Sequence, residues 1–335
     1  MSAVPRPIVE PATDVVLDVQ ELSVDIATPH GLLRAVRSVS FDVRRGETLC
    51  IVGESGCGKS ITSLALMSLL PTAAKRRAKS LRLLGEDLLH ATNKRVNALR
   101  GNRMAMIFQE PMTALNPAYT IGKQLMEAYE LHRGGGESKA RERAIELLDK
   151  VGIASAAERM GQYPHQLSGG LRQRVMIAMA LMCSPELLIA DEPSTALDVT
   201  IQAQILRLLA DLQKDLGIAM VLITHDLGVV ARIADRVAVM YAGEIVEEGT
   251  VAKVFASPRH PYTRGLLSCI PVPGRTMRGG RLGTIAGVVP SLVGDIRGCS
   301  FRDRCAYARP ECASAIPVRG VDQHDWRCIH QELPE

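Results

Sequence analysis

Gly53-Glu54-Ser55-Gly56-Cys57-Gly58-Lys59-Ser60 separates the apolar run Thr48-Leu49-Cys50-Ile51-Val52 from Ile61-Thr62-Ser63-Leu64-Ala65-Leu66-Met67. The stretch fits G-x-x-x-x-G-K-[ST], a strand-to-helix loop that cradles phosphate. Its glycines let the backbone turn so that successive N–H groups face one concavity. That concavity lies at the positive end of the helix that follows. Gly53, Ser55, Gly56, Cys57, Gly58, Lys59, Ser60 and Ile61 are therefore candidate nucleotide-binding residues. Lys59 would reach the β- and γ-phosphates, and the Ser60 hydroxyl would ligate Mg²⁺. A chance glycine-rich turn is the plain alternative, and the flanking strand and helix signals argue against it.

A chain of 335 residues suggests two domains, or one large α/β domain with an appendage. Its apolar content of 47% is ample for a core. The net charge of +4 is too small to argue for nucleic acid as a partner. The basic excess is confined to one end: residues 1–249 hold 28 Lys+Arg against 29 Asp+Glu, residues 250–335 hold 12 against 7. The C-terminal part is thus expected to be a separate unit. No run approaches the ~18–20 apolar residues of a membrane span, and residues 1–14 read as a flexible tail. The expected location is cytoplasmic, with membrane association only through partners.

Val15 to Ile26 alternates apolar and polar residues as a half-buried strand does. Thr28-Pro29-His30-Gly31 is a turn, and a second strand is predicted over 35–43. Lys75-Arg76-Arg77-Ala78-Lys79 reads as a solvated loop. After the short apolar strand Met104 to Phe108, residues 110 to 165 form a mostly helical insertion, in which Ala144, Leu147, Leu148 and Val151 share a buried face. Leu187 to Ala190 and Met220 to Thr224 are buried strands. Residues 236–241 and 243–247 look like a terminal hairpin. Strands alternating with helices predict a mostly parallel sheet. The phosphate loop and the polar tips Asp191, Glu192 and His225 then lie at strand C-termini, where such sheets bind ligands.

A phosphate loop alone does not separate kinases, GTPases and motor ATPases. Asp191, after four apolar residues, is placed to hold Mg²⁺, and Glu192 to polarise a water attacking the γ-phosphate. Both could instead be strand-end caps. Leu167-Ser168-Gly169-Gly170, opening a helix, is a second anion site built from a hydroxyl and two unobstructed amides. One nucleotide cannot occupy two outward-facing sites of one chain, so two subunits are expected to meet head to tail.

The order Gly53 to Ser60, Gln109, Leu167 to Gln173, Leu187 to Glu192, Ser194-Thr195-Ala196-Leu197-Asp198 and His225 resembles the nucleotide-binding domain of ABC ATPases. The resemblance covers roughly residues 15–250, with a helical subdomain at about 110–182. It implies a P-loop NTPase of α/β class with an antiparallel β subdomain. It also implies that Gln109 contacts Mg²⁺ and the attacking water, that Asp198 closes a loop touching the partner subunit, and that His225 contacts the γ-phosphate. Ser168, Gly169 and Gly170 would serve the partner's nucleotide. Leu171 stands where many such proteins have Gln. The adenine-stacking aromatic falls at Ile26, so adenine would rest on an aliphatic surface.

Phe108 to Pro117, Leu171 to Ala180 and Ser257-Pro258-Arg259-His260-Pro261-Tyr262-Thr263 resemble ATPase subunits of bacterial dipeptide and oligopeptide importers. Residues 251–335 match that group's C-terminal extension. The resemblance implies an ATP-hydrolysing subunit that pairs with itself or a similar ATPase. It would dock on two transmembrane permease subunits at the cytoplasmic face of the inner membrane, fed indirectly by an extracytoplasmic peptide-binding protein. Nickel, glutathione or another solute are alternative cargoes, and a soluble ABC protein acting on nucleic acid or in cluster assembly is the rival class. Of the eight cysteines, Cys299, Cys305, Cys312 and Cys328 lie together in the extension. Four thiolates suit tetrahedral Zn²⁺ or an iron–sulfur cluster. The resemblance favours [4Fe-4S], ahead of Zn²⁺ and of unmetallated thiols. Arg297, Arg302, Arg304 and Arg309 around the cysteines could hydrogen-bond a negatively charged cluster, the plain alternative being ordinary surface arginines.

Overall fold

Val15–Thr28 (β1) and Gly31–Arg44 (β2) pair antiparallel across the Pro29-His30 turn. The second strand begins earlier than residue 35 because Leu32 and Leu33 continue the ladder opposite Ala27 and Ile26. Ala74–Arg77 (β4) and Ser80–Leu83 (β5) share the other edge of β1, and Glu86–Asp87 (β6) pairs with β5. The basic run expected as a solvated loop is therefore partly strand. Arg76 turns inward and donates to the Ala65 carbonyl at 2.6 Å, Ser68 Oγ at 2.8 Å and the Leu88 carbonyl at 3.1 Å. A helix ends at Leu66 with carbonyls that lack intrahelical partners, and the guanidinium fork supplies them.

The computed structural model describes residues 14–109, 114–194, 198–270 and 284–330. Thr48–Val52 (β3) is buried at every position. Its side chains alternate between two cores, Cys50 and Val52 on one side, Leu49 and Ile51 on the other. That pattern belongs to a parallel strand covered on both faces. Around β3 lie Met104–Ile107 (β7), Leu187–Asp191 (β8), Ala219–Thr224 (β9), Arg236–Tyr241 (β10) and Glu244–Thr250 (β11). They run in the order β11-β10-β3-β9-β8-β7, parallel from β10 to β7. The same two-sided alternation recurs in β9, where Met220 and Leu222 join one core and Val221 and Ile223 the other. The antiparallel sheet and the helix Lys59–Leu66 (α1) cover the second core.

Asn93–Leu99 (α2) precedes β7. Ile121–Arg133 (α3), Gly136–Lys150 (α4), the single turn Ala156–Arg159 (α5) and Gly169–Ala180 (α6) follow it. Ala144, Leu147, Leu148 and Val151 are fully buried, as their spacing predicts. Val199–Leu216 (α7) and Leu227–Ile233 (α8) complete the layer over the first core.

The pair β10–β11 is a hairpin but does not end the sheet. The extension contributes Val251–Ala256 (α9), Pro261–Ser268 (α10) and the small hairpin Arg319–Val321 (β12) and His324–Trp326 (β13). β13 adds to β11, carrying the sheet to eight strands. Glu247 of β11 is fully buried and organises this junction. It accepts from the Arg259 and His260 amides at 2.7 and 2.8 Å, and its Oε1 lies 2.7 Å from His324 Nε2. Such a carboxylate stabilises only while every partner is in place. Glu247→Ala should lower global stability by about 3 kcal/mol and expose the amides of 319–326 to hydrogen exchange first, as read by denaturation and exchange mass spectrometry.

Candidate functional site

The phosphate loop leaves β3 at Val52 and enters α1 at Lys59. It is pressed against neighbouring backbone at two glycines. A Cβ at Gly53 would stand 2.1 Å from the Met240 carbonyl oxygen, and one at Gly58 2.4 Å from that of Ala35. Gly58 also has φ +107, which side-chain-bearing residues rarely adopt. The loop is further tied to the sheet by the Gly243 amide, which donates to the Cys57 carbonyl at 2.9 Å. Cys57 itself is buried, and burial pushes its thiol up.

Lys59 is buried, with Nζ donating to the Gly53 and Glu54 carbonyls at 2.8 and 3.1 Å. Its ammonium is thereby held inside the loop. Ser60 Oγ donates to Asp191 Oδ1 at 3.1 Å, joining the start of α1 to the end of β8. Burial pushes the Asp191 carboxyl up to about 6; the Ser60 bond opposes this, Glu192 adds to it and Lys59 opposes it. A hydroxyl and a buried carboxylate form an oxygen donor set that fits Mg²⁺.

Glu192 follows Asp191 with φ +43, a backbone strain of the kind found at functional positions. Its amide donates to the Ile223 carbonyl at 3.0 Å, which fixes the residue against β9. Gln109 Nε2 donates to Glu192 Oε2 at 3.3 Å, and His225 Nδ1 lies 3.5 Å from the same oxygen. Gln109, beyond the end of β7, and His225, beyond the end of β9, thus converge on the carboxylate that follows β8. The parallel order β9-β8-β7 brings these ends to one edge, beside the phosphate loop.

Ser168 and Gly169 are exposed, and Gly170 is half-buried with Ile201 against its backbone. Ser168 caps α6 by accepting from the Leu171 amide at 3.4 Å. Asp198 caps α7, accepting from the Thr200 and Ile201 amides at 3.0 Å each. Thr195, Ala196 and Leu197 lie outside the described residues. Ile26 is half-buried against the core of the antiparallel sheet.

The matching family models are the ABC transporter family over residues 36–195 and the oligopeptide/dipeptide transporter C-terminal region over residues 246–312. The dipeptide transport ATP-binding protein DppD of Bacillus subtilis is 49% identical over 320 residues, 95% of each chain. The chain belongs to the ABC transporter ATP-binding proteins. DppD of Escherichia coli is 50% identical over 302 residues, 90% of this chain and 92% of the relative. A dimeric ATP-binding cassette solved in a post-hydrolysis state with ADP and Pi superposes with a TM-score of 0.63 at 25% identity. It spans 70% of this chain and 98% of the cassette. Members of this family hydrolyse ATP, and the cassette fold here is theirs.

In the extension, all four expected cysteines, none in a disulfide, line one small cavity of about 10 Å³, with Phe301, Tyr307 and His330. Burial, and secondarily Cys312, Cys328 and Cys305, push Cys299 up to about 11, a backbone bond from Phe301 opposing. Among the described residues, no three His, Cys, Asp or Glu side chains are arranged to hold a single metal ion. Arg304, expected beside the cysteines, instead donates to Glu54 of the phosphate loop, and Tyr262, which sequence reasoning gave no role, accepts from the Glu54 amide. The extension motif containing Tyr262 was visible, but 208 residues separate it from Glu54.

Glu192→Gln should leave nucleotide binding within about twofold of wild type while lowering turnover by at least 10²-fold, measured as phosphate release alongside equilibrium ATP binding. Normal hydrolysis would remove Glu192 as the residue that activates water.

Proposed function

We propose that this chain is the ATP-hydrolysing subunit that powers import of di- and oligopeptides. What carries the reading is similarity to dipeptide transport ATP-binding proteins along nearly the whole chain, together with the match to the oligopeptide/dipeptide C-terminal region. The chain would work peripherally at the cytoplasmic face of the membrane, a reading supported by its similarity to dipeptide transport ATP-binding proteins. No helix among the described residues is long and apolar enough to cross a membrane. It would join a second ATPase subunit, identical or similar, and two permease subunits.

Gly53, Ser55, Gly56, Cys57, Gly58 and Ile61 would surround the phosphates with backbone amides at the start of α1. Lys59 would exchange the Gly53 and Glu54 carbonyls for phosphate oxygens. Mg²⁺, held by Ser60, Gln109 and Asp191, supplies charge neutralisation for the transferring phosphoryl group. Glu192 would orient and polarise water, with Gln109 and His225 fixing its carboxylate. The exposed Ser168, Gly169 and Gly170 would bind the γ-phosphate held by the facing subunit, and Asp198 would touch that subunit. Closure around ATP would move the permeases between access states, and hydrolysis would reopen the pair.

We read the four cysteines as holders of a [4Fe-4S] cluster ahead of Zn²⁺ on the resemblance of the extension to that of the importer group. That all four line one cavity supports a shared group there. The site is most simply structural; of the four arginines near it in sequence, Arg304 is engaged by Glu54, which leaves Arg297, Arg302 and Arg309.

Vesicles containing the chain, its permeases and the binding protein should take up labelled dipeptide only with ATP inside. Transport of a different solute and no peptide would overturn the cargo. The anaerobically purified chain should contain iron and acid-labile sulfide in equal amounts. Stoichiometric zinc without iron would overturn the cluster.

A further inference from the structure

Arg304 belongs to the extension yet ends in the phosphate loop. Its side chain is only 5% exposed, and every donor of its guanidinium is used. Nη1 and Nη2 form a fork on the Glu54 carboxylate at 2.6 and 3.0 Å. Nη1 also reaches Tyr241 Oη at 3.4 Å, Nη2 the Ile285 carbonyl at 3.1 Å, and Nε the Ala286 carbonyl at 2.8 Å. The guanidinium carbon stands 5.8 Å from both the Tyr241 and Phe301 ring centres. The Glu54 amide meanwhile donates to Tyr262 Oη at 2.8 Å, and Tyr262 too comes from the extension. One residue of the phosphate loop is therefore gripped at its main chain and at its carboxylate by residues more than 200 positions away.

Glu54 puts a negative charge on a loop built to receive a polyanion. In a partly buried setting an unpaired carboxylate repels phosphate far more strongly than it would in water. A forked ion pair cancels that charge and fixes the loop's orientation at once. The surrounding carbonyls and rings fix the guanidinium, and through the fork it fixes the Glu54 side of the loop.

We propose that Arg304 is a positioning residue of the nucleotide site, through which the C-terminal extension sets the affinity of the phosphate loop for the triphosphate. The proposal rests on the ATPase reading but predicts a separate quantity. Wild-type turnover tests the reading; only the ratio of variant to wild type tests Arg304.

The test measures KM for ATP and kcat of the full chain as wild type, Arg304→Ala, Glu54→Gln and the double variant. Arg304→Ala should raise KM about tenfold with kcat within about twofold, because the chemical groups at Gln109, Asp191 and Glu192 are untouched. The double variant should recover most of that loss, which a purely structural role would not produce. A KM for Arg304→Ala within twofold of wild type, or a double variant no better than Arg304→Ala, would overturn the proposal. If Arg304→Ala does not fold, Arg304→Lys decides the matter, since it keeps the charge and loses the fork. A KM raised about threefold is expected from it, and an unchanged KM contradicts the proposal.

Discussion

The phosphate loop can exist in this conformation only because two of its residues have no side chain. The carbonyl oxygens of Met240 and Ala35 fill the space that Cβ atoms at Gly53 and Gly58 would need. Those carbonyls come from strands β10 and β2, one in each sheet. The loop is thus wedged where the two sheets meet, against the core that Met240 and Cys57 share. Its amides face outward because its back is occupied. Lys59 and Ser60 then start α1 from a fixed point, which is why Ser60 can meet Asp191 across the sheet.

Much of this was legible because a buried parallel sheet leaves a plain trace. Runs such as Leu187 to Ala190 and Met220 to Thr224 are apolar on both faces, and their polar ends mark the ligand edge. The meeting of Gln109, Glu192 and His225 followed from strand order, which motif order along the chain encodes. Other features left no local trace. Arg76 sits in a run of positive charge that reads as solvated, and only the helix end it caps explains its burial. The hairpin at β10–β11 ends a local pattern, but its outer edge is taken by a strand beginning at His324. Hydrophobic period says nothing of such distant pairing.

The extension is more than an appendage in physical terms. Glu247 ties the start of α10 and the last hairpin to the sheet, while Tyr262 and Arg304 tie the extension to the phosphate loop. Cys305 follows Arg304 directly, so whatever fills the cysteine-lined cavity also bears on the residue that holds Glu54. The basic excess noted in the sequence is put partly to structural use, with Arg304 and Arg327 both engaging glutamates of the nucleotide-binding unit.

On the function proposed, the site described is one half of a composite. Glu192, the Ser60–Asp191 pair and the phosphate loop lie together, whereas Ser168 and Gly169 are exposed, Ser168 capping its own helix. A structure of the complete transporter carrying Glu192→Gln, trapped with Mg²⁺ and ATP, tests this directly. The account predicts that Ser168 and Gly170 of this chain contact the γ-phosphate of a nucleotide cradled by the facing ATPase subunit. Nucleotide bound at both cradles with Ser168 still open to solvent would contradict it.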